Sequence, residues 1–161
     1  MDIQVNYEYR EKDIRSLLDV EELVGFIVRH EAKPVETEVS VSFVANERIH
    51  ELNREWRGVD RPTDVLSFEC DGVDDDMPLV DGEAFELGDI VIAPDVAETQ
   101  APTYGLTFKD EMSLLITHGL LHLCGYDHMD DDEAKAMESR EAELLSEYYG
   151  RPFKRSGAEL L

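Results

Sequence analysis

The chain has 161 residues, of which 42% are hydrophobic, and no apolar run in it approaches the roughly 20 residues that span a membrane. Two cysteines are too few for a disulfide framework and read as free thiols of a reducing compartment, and the first residues, with Asp2, Glu8 and Glu11, lack the basic then apolar layout of a secretory signal. These features predict one cytoplasmic domain without membrane contact, while a formal charge of -23, from 38 acidic and 15 basic side chains, repels polyanions at long range and by itself counts against nucleic acid.

In chain order, Ile3, Val5 and Tyr7 alternate with Gln4, Asn6 and Glu8, the period of a half-buried strand. Ile14, Leu17, Leu18, Val24, Ile27 and Val28 then recur at helical spacing, which predicts one amphipathic helix from about Asp13 to His30, with Pro34 in the loop beyond. Val39, Val41 and Phe43 alternate with Ser40 and Ser42 as a second strand. Asn46 is a candidate cap for a helix whose buried stripe is Ile49, Leu52 and Trp56, and Gly58 ends it. A polar loop through Asp64 leads into a strand at Val65-Leu66-Ser67-Phe68; Thr63 and Ser67 can bond a substrate, although capping and strand packing explain them equally well.

Charge is uneven along the chain. Arg48, Arg54, Arg57 and Arg61 fall in one short stretch, while acids crowd from Asp71 onward, so a local basic cleft on an acidic body is compatible with the net charge. The segment Asp71 to Glu86 reads as an exposed acidic connection. Gly88 to Ala93 resumes as a strand apolar enough for the interior of a sheet, and Pro94 opens a short helix through about Gln100. Thr107 and Asp110 have the spacing of a capping box at the start of a further helix. Met112, Leu114, Leu115, Ile116, Leu120, Leu121 and Leu123 make that helix apolar nearly all round, which places it in the core. Asp130 caps a last amphipathic helix that runs to about Tyr149. The fold class expected is α+β: residues 1–161 form a single domain, with a mixed sheet of about four strands and a buried central helix.

The central helix carries His118 and His122, whose imidazoles, four residues apart, share one face about 6 Å apart along the axis. Gly125 suits a left-handed cap that turns the chain back and brings His128 towards them. A lone histidine in an apolar helix is a satisfied core residue more often than a ligand. Three that converge would leave several buried nitrogens unsatisfied without a shared ion. Three imidazoles with an open fourth position make a catalytic type of zinc site, although nickel, iron and copper also take imidazole. Asp127 is the nearest candidate to orient a ligand ring, with a turn-stabilising role the alternative. Cys124, about 160° around the helix from His122, reads as a packing thiol. Cys70 reads as structural, and His30 and His50 as exposed side chains.

In peptidases of the His-Glu-x-x-His type the residue after the first histidine is the general base; here it is Gly119, which leaves room beside the metal for substrate or backbone. A hydrolase at this site needs a cation near the metal to bind phosphate, and Arg57 is the first candidate, a salt bridge to a neighbouring acid being its plainer reading.

The run His118-Gly119-Leu120-Leu121-His122-Leu123-Cys124-Gly125-Tyr126-Asp127-His128 resembles the histidine motif of the YbeY endoribonucleases, also described as rRNA maturation factors. Leu52-Asn53 followed by Trp56-Arg57-Gly58, Thr63 through Phe68, Gly88 through Ile92, and Asp131-Asp132-Glu133-Ala134 fall in the same order, so the resemblance covers about residues 38 to 150. It implies Zn2+ held by His118, His122 and His128, with Arg57 taking part in cleavage of single-stranded RNA. It also implies maturation of the 3′ end of 16S rRNA and ribosome quality control, with an rRNA precursor and the small ribosomal subunit as partners. Asp89 matches a position linked to a ribosomal-protein contact, and a structural role at a strand start is an equally good reading of it. Two other readings of the residues remain: a non-catalytic, zinc-stabilised ribosome assembly factor, which the negative charge favours, and a metallopeptidase, which lacks its glutamate at position 119.

Overall fold

A computed structural model of the chain describes residues 1–31, 33, 36–70 and 85–155; Pro34 and residues 71–84 of the acidic connection lie outside them. The alternating segments form β1 (Asp2–Tyr7), β2 (Thr37–Phe43), β3 (Val65–Glu69) and β4 (Phe85–Ile92), in the spatial order β1-β2-β4-β3. β1, β2 and β4 run parallel, and β3 pairs antiparallel with β4, so the sheet is mixed and four-stranded as expected. Val5, Val41 and Ile90 form one row across it, all turned to the main core. β4 starts at Phe85 and not at Gly88: Phe85 and Leu87 pack inward, an apolar alternation that the acidic composition upstream obscured.

The register between β2 and β4 shifts between Glu38 and Val39, opposite Leu87, and the next residue, Gly88, has φ 147. A Cβ at Gly88 would lie 2.3 Å from the Phe68 carbonyl oxygen on β3, so only glycine lets the two backbones meet this closely.

The single helix predicted from Asp13 to His30 is two, α1 (Glu11–Leu17) and α2 (Val20–His30). Leu18 is extended, and the Asp19 carboxylate accepts from the Glu22 amide at 3.1 Å, so a local cap starts a new helix where apolar periodicity alone runs on. α3 (Asn46–Arg57) is capped by Ala45, with Asn46 already its first residue and making no capping bond. Gly58 ends it at φ 70. Within α3 Ile49 is buried, but Trp56, expected in the same stripe, is 61% exposed, because its T-shaped contact with Phe68 of β3 leaves most of the side chain uncovered.

α4 (Pro94–Gln100), a 3-10 turn (Ala101–Tyr104), α5 (Phe108–Leu123) and α6 (Asp131–Tyr149) complete the described chain. α2 and α5 cover one face of the sheet, where Leu23, Ile27, Met112, Ile116 and Leu120 meet Val41, Phe43 and Ile90. Strand alternation turns Leu66 and Val91 to the opposite face, where Ile49 and Leu52 of α3 close a smaller cluster. The central helix is thus buried, as its all-round apolar composition required. Cys70 and Cys124 are both free thiols. Among the described residues no helix is long and apolar enough to cross a membrane.

Candidate metal centre

α5 starts where the capping box placed it, with the Thr107 hydroxyl accepting from the Asp110 amide at 3.1 Å. The reciprocal half of the box is absent, because Asp110 instead takes the Arg151 guanidinium at 2.7 Å and ties the end of α6 to the start of α5. Midway along α5, Gly119 brings the helix against the sheet: a Cβ there would lie 3.0 Å from the Ile90 side chain of β4. A side chain there would meet Ile90, while the glycine itself lines the cleft that holds the histidines. At the helix end Gly125 adopts φ 104. Its amide bonds the His122 carbonyl at 3.1 Å and the Tyr126 amide bonds the Leu121 carbonyl at 3.0 Å, a Schellman turn that reverses the chain.

The return loop is braced at both ends. Asp127 accepts from the His128 amide at 2.7 Å, which is the turn-stabilising one of its two readings, while its carboxylate lies 3.7 Å from the His128 ring. Asp130 accepts from the Glu133 amide at 2.8 Å, and Glu133 from the Met129 amide at 3.2 Å, which fixes the start of α6.

His118, His122 and His128 consequently converge, with one ligand atom from each lying within 4.8 Å of the others. Ring centroids are 5.6, 5.8 and 5.2 Å apart, and the planes stand near perpendicular, at 82°, 78° and 86°. Burial first, and His118 second, push the His122 pKa down, which favours the neutral imidazole that binds a metal. An all-imidazole set with one exposed side fits a transition metal with an open coordination position.

Behind the triad lies a carboxylate that the sequence reading did not single out. The two oxygens of Glu141 on α6 lie 3.5 and 3.4 Å from His118 Nδ1, and the side chain is buried. A proton held on Nδ1 by this acceptor leaves Nε2 as the lone-pair donor. The available signal was a charge inside an apolar stripe, since Glu141 shares its helix face with buried Met137, Leu144 and Leu145. Deeper in, the Gln100 amide donates to Asp64 at 2.8 Å and to Glu111 at 3.2 Å. Asp64 also accepts from the Val65 amide at 2.8 Å. Glu111 is fully buried, and burial pushes its pKa up against the opposing Gln100 hydrogen bond.

The triad opens into a cleft of about 720 Å³ whose walls also include Arg57, Thr63, Ser67 and Phe68. Arg57 is exposed and forms no ion pair among the described residues, contrary to its plainer reading. Its Nη2 donates to the Ser67 carbonyl at 2.5 Å, and its guanidinium lies 5.0 Å over the Phe68 ring.

The remaining candidates stand apart from the cleft. His30 bonds the Phe26 carbonyl at 2.8 Å, and His50 sits 2.7 Å from Asp60. Burial pushes the Cys124 thiol up to about 11, which suits packing and opposes metal ligation. Asp89 is exposed on β4, accepts from the Ser40 hydroxyl, and belongs to a separate groove.

Residues 3–149 match the family model described as endoribonuclease YbeY. An endoribonuclease YbeY of Shouchella clausii is 45% identical over 135 residues, covering 79% of this chain and 84% of that protein. The Bacillus subtilis endoribonuclease YbeY is 42% identical over 140 residues, covering 82% and 85% of the two chains. The solution structure of a Thermotoga maritima protein superposes with a TM-score of 0.63 at 32% identity, covering 92% of this chain and 89% of that one.

Proposed function

The chain belongs to the YbeY endoribonuclease family, and from that premise we propose that it cuts single-stranded RNA using a metal ion held by His118, His122 and His128. The proposal extends to its setting: maturation of the 3′ end of 16S rRNA and ribosome quality control in the cytoplasm, on precursors carried by the small subunit. One observation carries the reading, namely the convergence of three imidazoles in the same cleft as an arginine without an ion-pair partner among the described residues.

Zinc leads the candidates because imidazole suits it and neither thiol enters the cluster. When bound, such an ion supplies Lewis acidity towards a phosphoryl oxygen. The chain's own side chains do the rest. Arg57, held on the Ser67 carbonyl and stacked over Phe68, keeps other N–H donors of its fork for a phosphate. Glu141 holds the His118 ring in place, and Asp127 holds the His128 loop. Glycine stands at position 119, so the helix offers no carboxylate base of the peptidase kind.

The test pairs metal analysis of purified protein with cleavage of a labelled rRNA precursor, with and without small subunits. His118→Ala is expected to lose bound metal and abolish metal-dependent cutting; undiminished cutting by the folded variant would overturn the reading. A 3′-hydroxyl product would assign the attack to water, and a cyclic phosphate to the ribose 2′-oxygen. The charge of -23 favours a second reading, a zinc-stabilised assembly factor that contacts a ribosomal protein near Asp89. A folded His122→Ala protein that retains full rRNA maturation in cells would establish it in place of catalysis.

A further inference from the structure

Trp56 is the chain's one tryptophan, and 61% of it is exposed on the last turn of α3. Its ring meets Phe68 of β3 edge-on, with centroids 6.5 Å apart at 71°, while the Arg57 guanidinium lies 5.0 Å over that same phenyl ring. β3 is an edge strand, and Phe68 and Glu69 line both the metal cleft and a second groove of about 620 Å³. Leu52 and Trp56 form part of that second groove. The two depressions therefore share one lip, and Trp56 stands on it.

The lip carries a cation, Arg57, beside the acid Glu69. Arg57 is exposed and forms no ion pair among the described residues, in a chain where 38 acids face 15 bases. Glu8 and Asp89 in the lining make the groove itself unfavourable for an anion, which confines one to the rim. A protein-docking hot spot around a tryptophan is normally ringed by contacts that exclude water, whereas this one stands open beside the unpaired guanidinium of Arg57. Exposed aromatic faces beside unpaired cations are what a single-stranded nucleic acid uses, base on ring and phosphate on arginine.

Resting on the endoribonuclease reading, the geometry points to a stacking subsite at this lip. One base of a single-stranded RNA lies on Trp56, and Arg57 takes the neighbouring phosphate and spans the step to the histidines. The subsite reads no base edge, so it selects for unpaired strands and not for sequence.

Because Trp56 is the chain's one tryptophan, its fluorescence reports the contact directly. The full chain is titrated with a 2′-O-methyl single-stranded decamer carrying a 3′ fluorescein, and tryptophan emission is followed alongside anisotropy. Emission is expected to quench in step with the anisotropy rise, and Trp56→Ala to weaken binding roughly tenfold, with Trp56→Tyr restoring most of it. A full anisotropy rise with unchanged emission overturns the subsite. So does emission that shifts with protein concentration and ignores RNA, which would assign the lip to a second copy of the chain. Cleavage of the unmodified decamer is measured in parallel. RNA cut with Trp56 silent removes the subsite and keeps the endoribonuclease reading; quenching without any cutting keeps the subsite and removes that reading.

Discussion

Glu141 shows how much of the metal site rests on one side chain that never touches the metal. Its carboxylate is the acceptor behind His118 Nδ1, and burial on α6 leaves it little alternative partner. Replacing it with alanine frees the ring to rotate and exchange tautomers, and loss of such a supporting acceptor typically weakens metal affinity 10–100-fold. Glu141→Ala is therefore expected to raise the zinc dissociation constant by about that factor in a chelator competition, with helix content unchanged. Glu141→Gln keeps an acceptor oxygen in place and should recover most of the affinity. Equal affinities for all three proteins would show that Glu141 is a packing residue only. The contact escaped the sequence because its partners lie 23 positions apart on different helices.

At the scale of elements, Gly88 decides where β3 can lie, and β3 carries the lip of the cleft. Alanine there would combine φ 147 with a Cβ 2.3 Å from the Phe68 carbonyl, so the strand pair must separate locally. A loss of about 2 kcal/mol or more is expected for Gly88→Ala, read as a lower urea midpoint at unchanged slope. A midpoint within error of the parent would mean that the pair yields without strain. Period-two patterns found β1 and β2 because each has one face on the core, and the polar loop that ends at Asp64 marked the start of β3. The histidine motif was equally legible, since a four-residue step, a glycine cap and a following Asp130 cap are all local signals. What stayed hidden depends on distant neighbours. Helical spacing puts Trp56 in line with Ile49 and Leu52 but does not say that it stays mostly exposed beside Phe68. Nor does it say that a side chain at position 119 would meet Ile90. The break at Asp19 was a local signal outweighed by the apolar positions on either side of it.

For the whole molecule, the question is how a body of charge -23 receives a polyanion at all. Exposed charges act over the Debye length, about 30 Å at 0.01 M salt and about 8 Å at 0.15 M. At low salt an approaching RNA feels the entire acidic surface. Near physiological salt it feels only what lies beside it, and at the lip of β3 that includes Arg57. Screening therefore removes more repulsion than attraction over this range, the reverse of an ordinary basic nucleic-acid-binding protein, whose affinity falls as salt rises. The association rate with a fluorescein-labelled single strand is expected to increase several-fold from 10 to 150 mM KCl, then fall at higher salt once the arginine contacts are themselves screened. Stopped-flow measurement of that rate decides the matter: a monotonic fall from the lowest salt would mean that the local arginine field outweighs the body even at long range. A maximum would explain how an acidic body receives a strand at all, because screening then removes the long-range repulsion before it weakens the contact with Arg57.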